Sequence, residues 1–156
     1  MSFDKQKAEA SKKNLQNADL KNADLQEADL SEGILIEACL ENCNLSEADL
    51  CGTDISGASL KNARLHRTIL YRCRGKEVDF SNAVLTQANL VEANLSGANF
   101  THANLMESNI EGANLTNACF KDANLSEVNL TGVFLTNADL SGANFTNSEC
   151  IAADLV

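Results

Sequence analysis

Phe80-Ser81-Asn82-Ala83-Val84-Leu85-Thr86-Gln87-Ala88-Asn89-Leu90-Val91-Glu92-Ala93-Asn94-Leu95-Ser96-Gly97-Ala98-Asn99-Phe100 places a large apolar residue at every fifth position and a small residue two positions before most of them. A period of five matches neither the 3.6 of an α-helix nor the 2.0 of a strand, so neither element can keep these residues on one side. The chain must turn a corner every five residues. Outward from this stretch the phase holds from Leu15 to Leu155, where Leu, Ile or Phe occupies every fifth position, with only Gly75 and Cys150 departing among 29 positions. These large residues are called centres below. The residue two before a centre is Ala in 18 of 29 repeats, and the one between them is mostly Asp or Asn, as in Ala18-Asp19-Leu20 and Ala123-Asn124-Leu125.

The second residue after each centre is Gly or Asn in half of its 28 occurrences, among them Asn17, Gly52, Gly97 and Gly142. Both residue types tolerate positive φ, which the second central position of a type II turn requires. Four such corners close a square coil of 20 residues, with the next coil stacked about 4.8 Å away through strand-like hydrogen bonds. Phe80, Phe100 and Phe120 recur at the spacing of one coil, which predicts three rings in one interior column. Centres then fill the core, the small residues fit beside them, and Asp or Asn faces outward. Roughly seven coils follow, about 34 Å in length at that rise.

This pattern resembles the pentapeptide-repeat proteins, whose repeat reads Ala-(Asp/Asn)-Leu-X-X, and the resemblance covers residues 14–155. It implies an all-β solenoid, a right-handed quadrilateral β-helix, over residues 14–156. Residues 1–13 fall outside the repeat and read as a short helical cap, with Ser2 or Asp4 as N-cap and Lys12 and Lys13 suited to a helix C-terminus. The repeat runs on to Leu155 without a comparable cap, and an open solenoid end invites pairing with a second copy, so a homodimer through the C-terminal coil is expected.

The composition narrows function. A formal charge of −10 and a pI near 4.5 argue against direct nucleic-acid binding, which needs a cationic surface. No stretch approaches the roughly 18 apolar residues of a membrane helix, and Met1–Ala10 has no apolar signal core, so a cytoplasmic location is expected. The six cysteines form no Cys-X-X-Cys pair. On the coil Cys43 and Cys73 take small interior sites and Cys150 a centre, while Cys39, Cys51 and Cys119 face out. Cys39 and Cys119 share a column four coils apart, about 19 Å, well beyond disulfide reach. Neither a disulfide, a metal site nor a cofactor is expected. His66 and His102 lack a nucleophile at usable spacing, and Asp19, Asp24 and Asp29 stand on successive sides instead of facing across a cleft. The chain reads as a non-enzyme.

Two local features stand out. Gly75 replaces a centre within Tyr71-Arg72-Cys73-Arg74-Gly75-Lys76-Glu77, which predicts a small dent or bulge and a thinner core there. Lys61, Arg64, Arg67, Arg72, Arg74 and Lys76 form a basic belt between acidic stretches, residues 15–55 and 77–156. One reading of the belt is ion pairing between coils, with Lys61 to Glu41, Arg67 to Glu47, Arg74 to Asp54 and Arg72 to Glu92. The other is an interface: Cys51, Tyr71 and Val91 share one outward column, Ile69 lies on the same side, and Arg67 and Arg72 flank them, a make-up suited to partner binding. Outward Ile34, Ile36 and Phe134 form no such stripe. The function expected is a protein-interaction scaffold, a rigid acidic rod offering this patch to a protein partner. The alternative comes from the resemblance, whose quinolone-resistance branch implies DNA mimicry at a type II topoisomerase. The basic belt, and the lack of that branch's C-terminal dimer module and projecting loops, speak against it.

Overall fold

The structure, a computed structural model, describes residues 5–153. The proposed N-caps Ser2 and Asp4 lie outside those residues. Helix α1 spans Lys5–Ser11 and runs into a 3₁₀ turn at Lys12–Asn14. Lys12 and Lys13 therefore belong to that turn. Ala8 is fully buried, and the segment supplies acceptors to the first coil: Asp29 N–H donates to Glu9 Oε1 at 2.9 Å and Ile34 N–H to the Lys12 carbonyl at 2.7 Å. Lys12 Nζ also reaches Asp29 at 2.8 Å, and Lys13 Nζ bonds the Glu32 carbonyl. Gly33 takes a small interior site where a Cβ would stand 3.1 Å from that Lys12 carbonyl and 2.6 Å from the Leu30 carbonyl, so a side chain there would obstruct the cap.

From Asp19 to Glu149 the chain winds with a period of 20, each outward residue forming a parallel bridge to the one 20 positions on, as in Asp19 to Cys39 and Asn129 to Glu149. Bridges recur every five residues, giving four faces: columns through Asp19, Asp24, Asp29 and Ile34, called faces A, B, C and D. Every corner from Asn17 to Ala152 has positive φ at its second residue, between 53 and 71°, whether that residue is Gly52, Glu27, Arg67 or His102. Gly and Asn mark only half of these corners in the sequence; the ladders on both sides hold the others.

A repeat that follows an outward Asp or Asn accounts for its five N–H groups, as residues 90–94 illustrate. Leu90 and Glu92 donate to the next coil, at the carbonyls of Asn109 (2.7 Å) and Glu111 (2.9 Å), and Asn94 to the previous one, at Cys73 (2.9 Å). Ala93 closes the turn on the Leu90 carbonyl at 3.1 Å. The fifth, at Val91, donates to the side-chain Oδ1 of Asn89 at 3.1 Å. The recurrent Asp or Asn is thus a turn cap as well as an outward polar residue, a local side-chain acceptor of the Asx kind.

Inside, Leu25 to Leu130 and their small neighbours are almost wholly shielded from water. Phe80 and Phe100 stack at 5.1 Å between centroids, and Phe100 and Phe120 at 4.7 Å and 1° between planes, the expected column at the expected rise. Gly75 is a correction: no dent or bulge forms. Its N–H donates to the Asn94 carbonyl at 2.8 Å, and Arg74 bridges both Asp54 and Asn94. A Cβ on Gly75 would meet Leu95 Cδ2 at 2.7 Å and Ile55 and Val78 at 3.2 Å, so neighbouring side chains occupy the space.

Candidate functional site

The coil through residues 59–74 is where the turn-capping rule lapses completely. Its four outward residues are Ser59, Arg64, Ile69 and Arg74, none of them Asp or Asn, so the corner amides of Lys61, His66, Tyr71 and Lys76 have no Asx acceptor. No other four successive repeats among the described residues do this. On face C, Ile69 is 40 % exposed in a column otherwise made of Asp29, Asp49, Asn89, Asn109, Asn129 and Glu149. Its carbonyl and N–H belong to the ladder, from Leu50 at 2.7 Å and to Ala48 at 3.0 Å, so the backbone holds the side chain outward.

At the corner between faces C and D, Cys51, Tyr71 and Val91 stack in one column as expected. The structure makes all three half-buried, where the sequence suggests an open stripe. Arg72 is the reason at Tyr71: its guanidinium lies 4.9 Å over the ring and its Nε donates to Glu92 at 2.6 Å. The Glu92 hydrogen bond, then its charge, raises the Arg72 pKa. Burial first, then Asp49 and Glu32, push the Cys51 thiol up, away from a reactive thiolate. Arg67 stands at the opposite corner of face C. The six expected residues therefore share one panel spanning three coils, with Ile69 its exposed apolar member and Tyr71, Val91 and Cys51 its recessed edge.

Two expected ion pairs form: Arg74 Nε to Asp54 at 3.1 Å and Arg72 to Glu92 at 2.6 Å. Two others form differently. Lys61 pairs with Asp79 at 3.3 Å, since Glu41 is held by Lys21 at 2.8 Å. Arg67 turns away from Glu47 to donate to Gln87 Oε1 at 2.8 Å, and Gln87 Nε2 passes the chain on to Glu107 at 2.7 Å. The cations are exposed while Asp54 and Asp79 are largely covered, and with one partner of each pair open to water each contributes at most about 1 kcal/mol.

The sequence reading passed over face B. There Arg64, His66, Val84 and Thr86 line a polar groove with Asn44 and Glu47. His66 Nδ1 lies 2.9 Å from Thr86 Oγ1, and Val84 is 38 % exposed. A signal was available: Arg64 and Val84 both break the Asp/Asn position on one face. Cys43 and Cys73 are buried, with pKa values pushed up to about 11 and about 12 chiefly by burial. Cys150, expected in the core as a centre, is exposed at the last described coil. All six thiols are free. No group of His, Cys, Asp and Glu among the described residues could hold a metal ion, and no described helix is long and apolar enough to cross a membrane.

No curated protein matches the chain. Solved structures resembling it include the pentapeptide repeat protein Rfr23 of the cyanobacterium Cyanothece 51142, at 32 % identity and a TM-score of 0.41, covering 65 % of this chain and 63 % of that one. HetL, a pentapeptide repeat protein involved in heterocyst differentiation regulation in Nostoc sp. strain PCC 7120, is 26 % identical with a TM-score of 0.37, over 88 % of this chain and 81 % of its own. QnrB1, a plasmid-mediated fluoroquinolone resistance protein, is 24 % identical with a TM-score of 0.32, over 82 % and 79 %. At those scores none lends its role to this chain. The family model of pentapeptide repeats matches eight copies, over residues 11–46, 34–72, 83–122 and 123–156, and leaves out the segment around Gly75. With its five-residue code and 20-residue coil, the chain belongs to the pentapeptide repeat family.

Proposed function

We propose that this chain, wound as the right-handed quadrilateral coil its family implies, is a non-enzymatic scaffold that presents the Ile69 panel to a protein partner. The observation behind this reading is the coil through residues 59–74, where four successive turns forgo their side-chain cap. Each such hydrogen bond contributes roughly 0.5–1.5 kcal/mol. A coil that gives up four of them, and sets an isoleucine and two arginines in their place, departs from its own folding rule, and such departures concentrate at functional surfaces. An exposed apolar residue beside a Tyr stacked with Arg has the composition of an interface anchor. Fold membership alone would not suggest a site.

The test is affinity capture from the source cell with wild-type bait beside an Ile69→Ser/Tyr71→Ala variant. A partner retained by wild type and lost by the variant supports the panel. Capture of a type II topoisomerase equally by both baits would replace this reading with DNA mimicry by the acidic coils on either side of the belt.

A second copy is proposed at the other end of the rod. Leu140 and Phe145 are only partly buried there, and Ile151 is 58 % exposed. Sedimentation velocity should show a concentration-dependent dimer that Ile151→Asp disperses; a monomer at all concentrations would rule it out. Six free thiols support a reducing, cytoplasmic location.

A further inference from the structure

Every belt cation on this rod has a nearby carboxylate or amide oxygen except one. Lys61, Arg72, Arg74 and Lys76 pair with Asp79, Glu92, Asp54 and Glu77, and Arg67 donates to Gln87. Arg64 has no ion-pair or hydrogen-bond partner for its guanidinium among the described residues. Its place in the coil explains this. The residues stacked directly below and above it on face B are Asn44 and Val84, neither of which carries a charge. Asn44 is itself occupied, its Nδ2 donating to Asp24 Oδ1 at 3.0 Å, which keeps that carboxylate one coil further away. Glu47 is the one acid lining the groove, at the corner towards face C.

Arg64 is therefore an exposed, uncompensated cation at the wall of a groove, and it is bracketed by the two exposed aliphatic side chains of this region, Val84 on its own face and Ile69 around the next corner. Between Arg64 and Ile69 lie His66, held by Thr86, and Arg67, held by Gln87, so the corner is preorganised, with Glu47 one coil below its only acid in the groove. The next coil continues neutral across both faces as Val84, Thr86, Gln87 and Asn89, up to Glu92, which Arg72 holds. An acidic rod that leaves one arginine unpaired beside apolar side chains, on a surface one coil deep, complements a ligand of one kind.

We infer that the panel receives a short acidic segment of a partner protein, one carboxylate on Arg64 and an adjacent aliphatic or aromatic side chain against Val84 and Ile69. This rests on the scaffold reading and gives its partner a chemistry. A guanidinium pairs with a carboxylate through two parallel N–H···O bonds, which sets the segment's orientation. The net charge of −10 repels an acidic segment elsewhere on the rod, so binding is confined to the belt.

The test is selection of displayed random twelve-residue peptides on the immobilised full chain, followed by anisotropy titration of the synthetic winners. Winners should carry Asp or Glu within a few residues of Leu, Ile or Phe. Arg64→Gln should weaken them about tenfold or more, as loss of a charge-assisted bond does, and Lys121→Gln, a cation remote from the panel, should leave them unchanged. Circular dichroism melts of both exposed-site variants check the fold. Winners without acidic excess, or indifferent to Arg64→Gln, overturn the inference; if these still fail on Ile69→Ser the scaffold reading survives alone. Winners that depend on neither residue overturn both.

Discussion

Around Gly75 the interior lacks a centre side chain and carries extra bulk at the neighbouring small site, Val78; around Val128 and Val133 it carries the same extra bulk with Leu125, Leu130 and Leu135 all in place. In the first region the ladder is undisturbed: Gly75 N–H reaches Asn94 at 2.8 Å and Asn99 N–H reaches Val78 at 2.9 Å. In the second the bonds lengthen. Asn129 N–H to Ser108 stands at 3.3 Å and Val128 N–H donates to Ser148 Oγ at 3.3 Å, whereas the turn bond from Val133 N–H to Leu130, at 3.3 Å, is close to that from Val78 N–H to Gly75 at 3.2 Å. Ser108, directly below Val128 in the same column, is left with a buried hydroxyl that has no partner. Elsewhere a polar residue at a small site donates to the carbonyl 23 positions back, Thr53 to Leu30 at 2.8 Å and Thr68 to Leu45 at 2.7 Å. The coil therefore regulates interior volume over neighbouring sites jointly. A missing Leu side chain is tolerated where an adjacent Val fills in, and an unmatched Val stretches the ladder.

The largest expected effect comes from breaking the filled region. Leu95 supplies the methyl group that occupies the space beside Gly75, and Leu95→Asp would place a charge among wholly buried neighbours. Loss of the folded state by circular dichroism is expected, since an unpaired buried charge costs several kcal/mol; a folded variant would refute the inward assignment.

Restoring the repeat is the sharper test. Gly75→Leu conforms to the five-residue code but adds atoms where a Cβ alone meets Leu95 at 2.7 Å. It should destabilise by about 1–3 kcal/mol in urea denaturation, as overpacking does. Adding Val78→Ala should recover part of that loss, and additivity of the two would show that the sites do not share volume.

A smaller pair contrasts the hydroxyls. Thr68→Val removes a made bond and should cost about 1 kcal/mol, whereas Ser108→Ala removes an orphaned group and should be neutral or stabilising by up to about 1 kcal/mol. Equal losses in both melts would contradict the strain assigned to the Val128 column.

The last test perturbs nothing. Cys73, two residues before Gly75, is buried with its pKa raised to about 12, so iodoacetamide at pH 8 should leave it unmodified in the native protein while Cys150 reacts. Labelling of both at similar rates would mean the core is thin at Gly75 after all.

Much of this was legible beforehand because the repeat is local and redundant. The coil period, the Phe column and the inward placing of Cys43 and Cys73 all follow from counting in fives. Beyond Gly75 and Cys150, the expectations that failed concern side chains with a choice of neighbour. Arg67 could reach either Glu47 or Gln87, and Lys61 either Glu41 or Asp79; spacing permits each alternative, and competition for the shared carboxylates selects among them. The panel's members were found by their shared column, but not that Arg72 shields Tyr71 or that Arg64 lacks a partner.

The amino-acid sequence by itself determined where the chain turns, which side chains enter the core and how many residues make a coil, because one five-residue code fixes all three and repeats it along the chain. Tertiary structure alone decided how Gly75 is filled and which belt cation remains unpaired. Those depend on residues 20 positions away, or on both neighbouring coils at once, and contacts between coils exist only after the coil has closed.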